Sequence, residues 1–228
     1  MKEILQFIIS PKETIKKDSS IYQTLWRFLI LFFLGVTFSI ASLLLIEILR
    51  SSGILPSYLK ETSEATKVAR SNIFFVAVLV PILEELAFRF YLKRNSITIF
   101  ISAFFISYLI ISGFIFNTAI YSFENDFILR IGISFIFALI ILYVYKKQLI
   151  TIKFNALYYF SALFFGLIHI HNHDYTNPKI LPFAIVICLP QILSGLFLAY
   201  TRIKYGLLGS IALHSFKNGL FILIPLLF

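Results

Sequence analysis

The chain has 228 residues, 59% of them hydrophobic and 14% charged, and a mean hydropathy of +0.91. Soluble domains carry about 45–50% apolar and about 25% charged residues, so this composition excludes a cytosolic globule, a disordered chain and a secreted disulfide domain. The one cysteine, Cys188, leaves no internal bridge to form, and the net charge of +9 reads as loop lysines and arginines facing an anionic inner leaflet, not as a nucleic-acid surface.

Residues 1–26 form an N-terminal segment that is cytoplasmic or interfacial. Within it Ile4, Leu5, Ile8 and Ile9 share one helical face and Pro11 ends the stretch; a short interfacial helix and a frayed terminus both fit. Seven stretches then approach the roughly 20 apolar residues that cross a bilayer, near 27–49, 72–92, 97–116, 127–145, 154–171, 181–201 and 206–226. The first lacks a small-x-small cleavage site and exceeds a signal-peptide core, so it is read as a retained span. The expected fold is all-α: one polytopic helical bundle over 27–228 with about seven transmembrane helices, or six to eight if a stretch merges or splits. Between the first two stretches, Lys60, Glu61, Glu64, Lys67 and Arg70 are spaced for helical ion pairs; a solvated loop is the other reading.

With seven spans the loop charges alternate. Lys2, Lys12, Lys16, Lys17, Arg27, Lys93, Arg94, Lys146, Lys147, Lys153, Arg202 and Lys204 fall on one side, and Arg50, Lys60, Lys67, Arg70, Arg130 and Lys179 on the other, with the acidic tip 124–126. The excess of positive charge places the N-terminus in the cytoplasm. The Lys-, Ile- and Phe-rich usage suits a bacterial cytoplasmic membrane.

Ionisable side chains inside spans are costly and are functional or paired. The second stretch carries Glu84, Glu85 and Arg89. The fifth carries Phe165 and His169, with His171 and His173 following, and the seventh carries His214, Lys217 and Asn218. Glu85 and Arg89 stand four apart and can pair. Glu84 points about 100° away around the helix, so it can face another space. His214 and Asn218 also share a face. Lys217 either snorkels or pairs with a carboxylate, and His171 and His173 line a wet loop.

Two chemistries fit this set. A glutamate in a low-dielectric pocket can activate water while imidazole and amide donors stabilise a tetrahedral oxyanion. Alternatively Glu84, His169 and His214 could ligate Zn²⁺ with one position open for water. No His-Glu-x-x-His segment, nucleophile elbow or phosphate-binding glycine loop occurs in the sequence, so nucleotide binding and serine chemistry have no support.

Glu-Glu-x-x-x-Arg at 84–89, Phe-x-x-x-His at 165–169 and His-x-x-x-Asn at 214–218 resemble the CPBP family of intramembrane endopeptidases, also called the Abi family or CAAX protease and bacteriocin-processing proteins. The stretch from Gln191 to Asn218 resembles the family too. The resemblance covers roughly 72–96 and 154–222. In the family the first two motifs lie on consecutive helices; here 79 residues separate Arg89 from His169, which implies a two-span insertion near 97–145. The resemblance implies Glu84 as general base, Glu85 and Arg89 as its supporting pair, His169 as a water-contacting or proton-transfer residue, and His214 and Asn218 as oxyanion donors. The family has been described both as glutamate-dependent and as metal-dependent. A membrane-associated protein or peptide substrate follows, with no nucleic acid or nucleotide. Two other functions compete: a non-catalytic immunity factor or complex subunit of the same ancestry, and a proton- or cation-coupled transporter. All readings of the site share one condition, that the three motif helices meet.

Overall fold

The computed structural model describes residues 2–15, 18, 20–56, 74–118, 120, 122–123, 126–173 and 178–223. The ion-pair spacings over 60–70, Glu124 of the acidic tip, and Lys16 and Lys17 lie outside them. Every regular element among the described residues is helical.

Helix α1 spans Lys2–Ile9 and α2 spans Ile21–Ser51. The Ser20 side chain caps α2, accepting from the Gln23 amide at 3.3 Å. Gly35, Ser39 and Ser42 lie on the buried face of α2, the helix that packs against α8. The N-terminal helix forms, but its buried residues differ from the expected stripe. Ile4 and Phe7 are buried, whereas Leu5 is 41% and Ile9 77% exposed. The reason is lateral packing: the Phe7 ring sits edge-on to Tyr158 at 5.7 Å and Tyr200 at 5.1 Å. The bundle core, not the membrane plane, selects the face.

A π-helical turn, Phe75–Leu79, leads into α3, Val80–Phe88, with Pro81 in its first turn, where no backbone donor is lost. The chain then tightens into a 3₁₀ turn, Phe90–Lys93, and Arg94 adopts φ +53°. Helix α4, Ser96–Ile110, starts from a capping box in which Asn95 and Thr98 satisfy each other's backbone amides; it runs on as a π turn, Ile111–Ile115. Helix α5 spans Phe127–Thr151 and α6 spans Phe154–Ile168, followed by a 3₁₀ turn, His169–Asn172. A further 3₁₀ turn, Pro178–Phe183, and the short α7, Ala184–Ile187, precede α8, Leu189–Leu223. Gly206 breaks α8 with φ +81° and ψ −176°, a conformation essentially restricted to glycine. The two halves lie side by side there, Ser210 Oγ reaching the Leu198 carbonyl at 3.1 Å.

Among the described residues, three helices are long and apolar enough to cross a membrane: Ile21–Ser51, Ser96–Ile115 and Phe127–Thr151. Counting Lys179–Ile187 with Leu189–Ile222, bent by 42°, as one broken span makes four. The count of about seven came from apolar runs alone. Hydropathy continues through π turns, 3₁₀ turns and the Gly206 break, where helical geometry does not, so several runs resolve into shorter helices.

Helix α8 is the hub, packing against α6, α2, α3 and α1, while α5 lies mainly on α4. The α4–α5 hairpin that reads as an insertion is anchored to the motif helix. Ser102 of α4 donates to the Leu86 carbonyl at 2.7 Å and accepts from the Tyr91 amide at 3.0 Å. Ser161 of α6 donates to the Phe88 carbonyl at 2.5 Å, and Arg202 Nε of α8 to the Arg89 carbonyl at 3.2 Å. Three neighbouring helices thus satisfy the carbonyls that the early end of α3 leaves open, which fixes the rotation of α3 about its axis.

Just before the Gly206 break of α8, an ionic cluster ties the N-terminal segment down. Asp18 lies 2.9 Å from Arg27 and 3.2 Å from Lys204, and accepts from the Tyr205 hydroxyl at 2.8 Å. Glu3 meets Arg27 and Lys204, each at 2.9 Å. Burial pushes the Asp18 carboxyl up, but the Tyr205 and Lys204 hydrogen bonds and the Lys204 and Arg27 charges outweigh it and hold it below its ordinary value of 3.8.

Candidate active site

Adjacent residues on α3 take opposite environments, as their 100° offset requires. The Glu85 side chain is fully buried; Glu84 keeps 10% of its side chain accessible. Glu85 is the structural acid. Its Oε1 lies 3.3 Å from Arg89 and 2.9 Å from His214 Nδ1, and its Oε2 accepts from the Ser210 hydroxyl. Arg89 is equally buried and its guanidinium stacks 3.8 Å from the Phe165 ring centroid. The same ring stands edge-on to His169 at 4.7 Å and to His214 at 5.5 Å. Phe165 is therefore the central partition of the site, and not only a spacing mark in the motif.

The second acid faces both imidazoles. His169 Nε2 lies 3.7 Å from Glu84 Oε1, and His214 Nε2 lies 3.5 Å from Glu84 Oε2. The far nitrogens of both rings are already committed. His169 Nδ1 lies 2.7 Å from the Phe165 carbonyl and His214 Nδ1 lies 2.9 Å from Glu85. Both of those partners only accept, so each Nδ1 carries the proton. In the neutral rings, each Nε2 therefore presents a lone pair toward Glu84. Three acceptors converge across gaps too long for direct hydrogen bonds. A water placed between them would donate to two of the three and leave the third facing its oxygen.

Asn218 is held from the π turn ahead of α3. Its Nδ2 donates to the Val76 carbonyl at 3.2 Å. A π turn shifts the backbone hydrogen-bond register, and this bond fixes the Asn218 amide while leaving it a second N–H. Lys217 neither pairs with a carboxylate among the described residues nor faces Glu84. It lines a crevice of about 10 Å³ with Leu31, Gly35 and Ser194, between α2 and α8. His171 donates from Nδ1 to the Ile168 carbonyl at 2.6 Å and packs against Phe114 of the α4 extension.

Zinc would require three ligands converging on one point. Among the described residues, no group of three His, Cys, Asp or Glu side chains is arranged to hold a metal ion. Glu84, His169 and His214 carry the donor types that zinc takes, with the two Nε2 atoms 3.7 and 3.5 Å from the Glu84 oxygens.

Ser210 was not singled out by motif spacing, although it stands four residues before His214 and so shares its face. Ser102 and Ser161, which hold α3, carry no sequence signal beyond being small polar residues inside apolar runs.

A family model described as type II CAAX prenyl endopeptidase Rce1-like matches residues 147–220. The match covers about a third of the chain and includes His169, His214 and Asn218; Glu84, Glu85 and Arg89 lie outside it. It is the same protease family that the three motifs resemble. Neither a search of curated proteins nor one of solved structures gave a match.

Proposed function

We propose that this chain is an intramembrane endopeptidase that hydrolyses a peptide bond of a membrane-associated protein or peptide with a water activated by Glu84. One observation carries the reading: two imidazoles with fixed tautomers aim their free nitrogens at the more accessible of two adjacent glutamates. The other glutamate is fully buried and held by Arg89. The family match supplies the reaction class.

In this reading a water sits between Glu84 and the two Nε2 atoms. Glu84 takes one water proton as the oxygen attacks the scissile carbonyl carbon, and the C–O bond forms with an oxyanion. His169 relays the proton from Glu84 to the leaving amine, and the C–N bond breaks. His214 acts in its imidazolium form, its Nε2 proton taken from solvent before the attack: it stays anchored to Glu85 through Nδ1, donates from Nε2 to the oxyanion together with the free N–H of Asn218, and keeps that proton when the oxyanion collapses. Glu85 does for His214 what a buried carboxylate does in hydrolase triads: it fixes the tautomer and stabilises the imidazolium. The steps use only this chain's side chains, with none routed through zinc.

The lipid bilayer is the other partner. The shorter helices α3, α6 and the two halves of α8 form the interior of the bundle, inside the long, lipid-facing α2 and α5. In this reading the N-terminus is cytoplasmic, which the excess of lysine and arginine on its side, Arg202 and Lys204 included, supports.

The test compares membranes from cells making the wild type and Glu84→Gln at matched abundance, reading new peptide termini by mass spectrometry. Termini that vanish only in Glu84→Gln establish the protease and identify its substrates. An unchanged set of termini with the host phenotype retained supports the immunity-factor or subunit reading instead. Proton- or cation-driven uptake that fails in Glu84→Gln while termini stay unchanged supports the transporter.

A further inference from the structure

We infer that Ser210 is a positioning residue of the site, acting on His214 through Glu85; the inference rests on the protease reading above. Oε1 of Glu85 accepts from His214 Nδ1 and forms an ion pair with Arg89 at 3.3 Å. Oε2 receives one donor among the described residues, the Ser210 hydroxyl. Glu85 and Ser210 are both fully buried, so no exposed path brings bulk water to replace that donor. A buried carboxylate oxygen without a donor carries a large desolvation cost. The carboxylate would relieve it by turning, and turning moves the oxygen that holds His214.

Ser210 has one hydroxyl proton and two acceptors in reach, Glu85 Oε2 and the Leu198 carbonyl at 3.1 Å. The Leu198 contact alone would make it a helix-packing serine. An ionised carboxylate outcompetes an amide carbonyl for one donor, so the proton goes to Glu85. The backbone makes this possible. Gly206 folds the second half of α8 back on the first, and positions 210, 214 and 218 then rise along one face at four-residue intervals. Ser210 and His214 converge on Glu85, and Asn218 reaches Val76. The working motif is thus Ser-x-x-x-His-x-x-x-Asn, one turn longer than the recognised pair. Ser210 touches no reacting atom. It holds the oxygen atoms of Glu85 in the orientation that keeps the proton of His214 on Nδ1 and its Nε2 toward Glu84.

The experiment measures the initial rate at which peptide termini absent from vesicles lacking this protein appear in membrane vesicles carrying equal amounts of folded protein, checked by size exclusion in detergent. Wild type, Ser210→Ala, Ser210→Cys, Ser210→Thr and Glu84→Gln are compared. Ser210→Ala removes the donor without adding atoms, and its rate should fall on the order of 10-fold, the scale of one hydrogen bond to a charged group. Ser210→Thr restores the hydroxyl and should recover most of the rate, with Ser210→Cys, a weak donor, between the two. A Ser210→Ala rate equal to wild type overturns the inference. So does equal impairment of Ala, Cys and Thr variants that remain folded, which would make the position a matter of volume. Glu84→Gln separates the two failures: if it keeps full rate the protease reading is lost, and if it alone is inactive only the role of Ser210 is lost.

Discussion

Gly166→Ala is the sharpest test of how the two histidine helices are held together. Gly166 lies on α6, three residues before His169, and faces Ile192 of α8. A Cβ built there would stand 2.1 Å from the Ile192 side chain, 2.8 Å from its backbone nitrogen and 2.9 Å from its Cα. Ordinary carbon contacts begin at about 3.4 Å, so the side chain can rotate away but the backbone has to retreat by roughly half an ångström or more. Overpacking of this kind costs about 1–3 kcal/mol. The displacement falls on the helix that aims His169 at Glu84, and misplacing a catalytic group by about 1 Å can cost ~100-fold in rate. The expected result is a lowered thermal midpoint in detergent together with a rate loss larger than the stability loss explains. Adding Ile192→Ala should recover only part of both, because the backbone contacts remain. Gly132→Ala on α5 is the control: nothing lies within 4 Å of its Cβ, and alanine there should stabilise the helix by up to about 1 kcal/mol. Wild-type rate and midpoint in Gly166→Ala would refute the close-contact argument.

Gly206→Ala should destabilise the bundle by about 1–3 kcal/mol, since alanine is strained at φ +81°; a thermal midpoint equal to wild type would contradict it. Asp18→Asn should lower the thermal midpoint at neutral pH. Because the folded carboxyl of Asp18 is held below 3.8, its stabilisation is present above that value and disappears as pH falls through the lowered one. The gap between wild type and Asp18→Asn should therefore close below about pH 4, and a gap constant from pH 7 to pH 3 would refute it. Glu85→Gln should cost more stability than Glu84→Gln, because it leaves the buried Arg89 charge without its ion pair; thermal melts of the two variants decide. Chelator treatment should leave the rate of terminus formation unchanged, given the absence of a three-ligand arrangement among the described residues; loss on chelation with recovery on added Zn²⁺ would reverse that.

The pairing of Glu85 with Arg89 and the separate direction of Glu84 were legible because both follow from 100° per residue along one helix. The meeting of Glu84, His169 and His214 was only a condition, since nothing in the sequence states how α3, α6 and α8 cross. In the structure α6 ends at Ile168 and α3 is only nine residues long, so run length misstates depth. Phe7 escaped the amphipathic reading because a membrane-facing stripe and a core-facing stripe look alike when both are apolar. The Val76 bond to Asn218 depends on a π turn, and hydrophobic periodicity does not encode where a helix widens by one residue. Ser210, Ser102 and Ser161 were invisible for a related reason. A hydroxyl matters only through the carbonyl or carboxylate opposite it, and that partner is between 16 and 125 positions away.

The tether between the two ends of the chain has a consequence for biogenesis. Glu3 meets Lys204 across 201 positions, and Glu85 meets His214 across 129. The helices made first therefore cannot reach their final neighbours until the last segment has left the ribosome and entered the bilayer. A nascent chain holding Glu84 and Glu85 has neither the imidazole nor the hydroxyl that completes their surroundings. In the protease reading, the nascent chain is inert until His214 has emerged, and a product truncated before His214 has no hydrolytic centre.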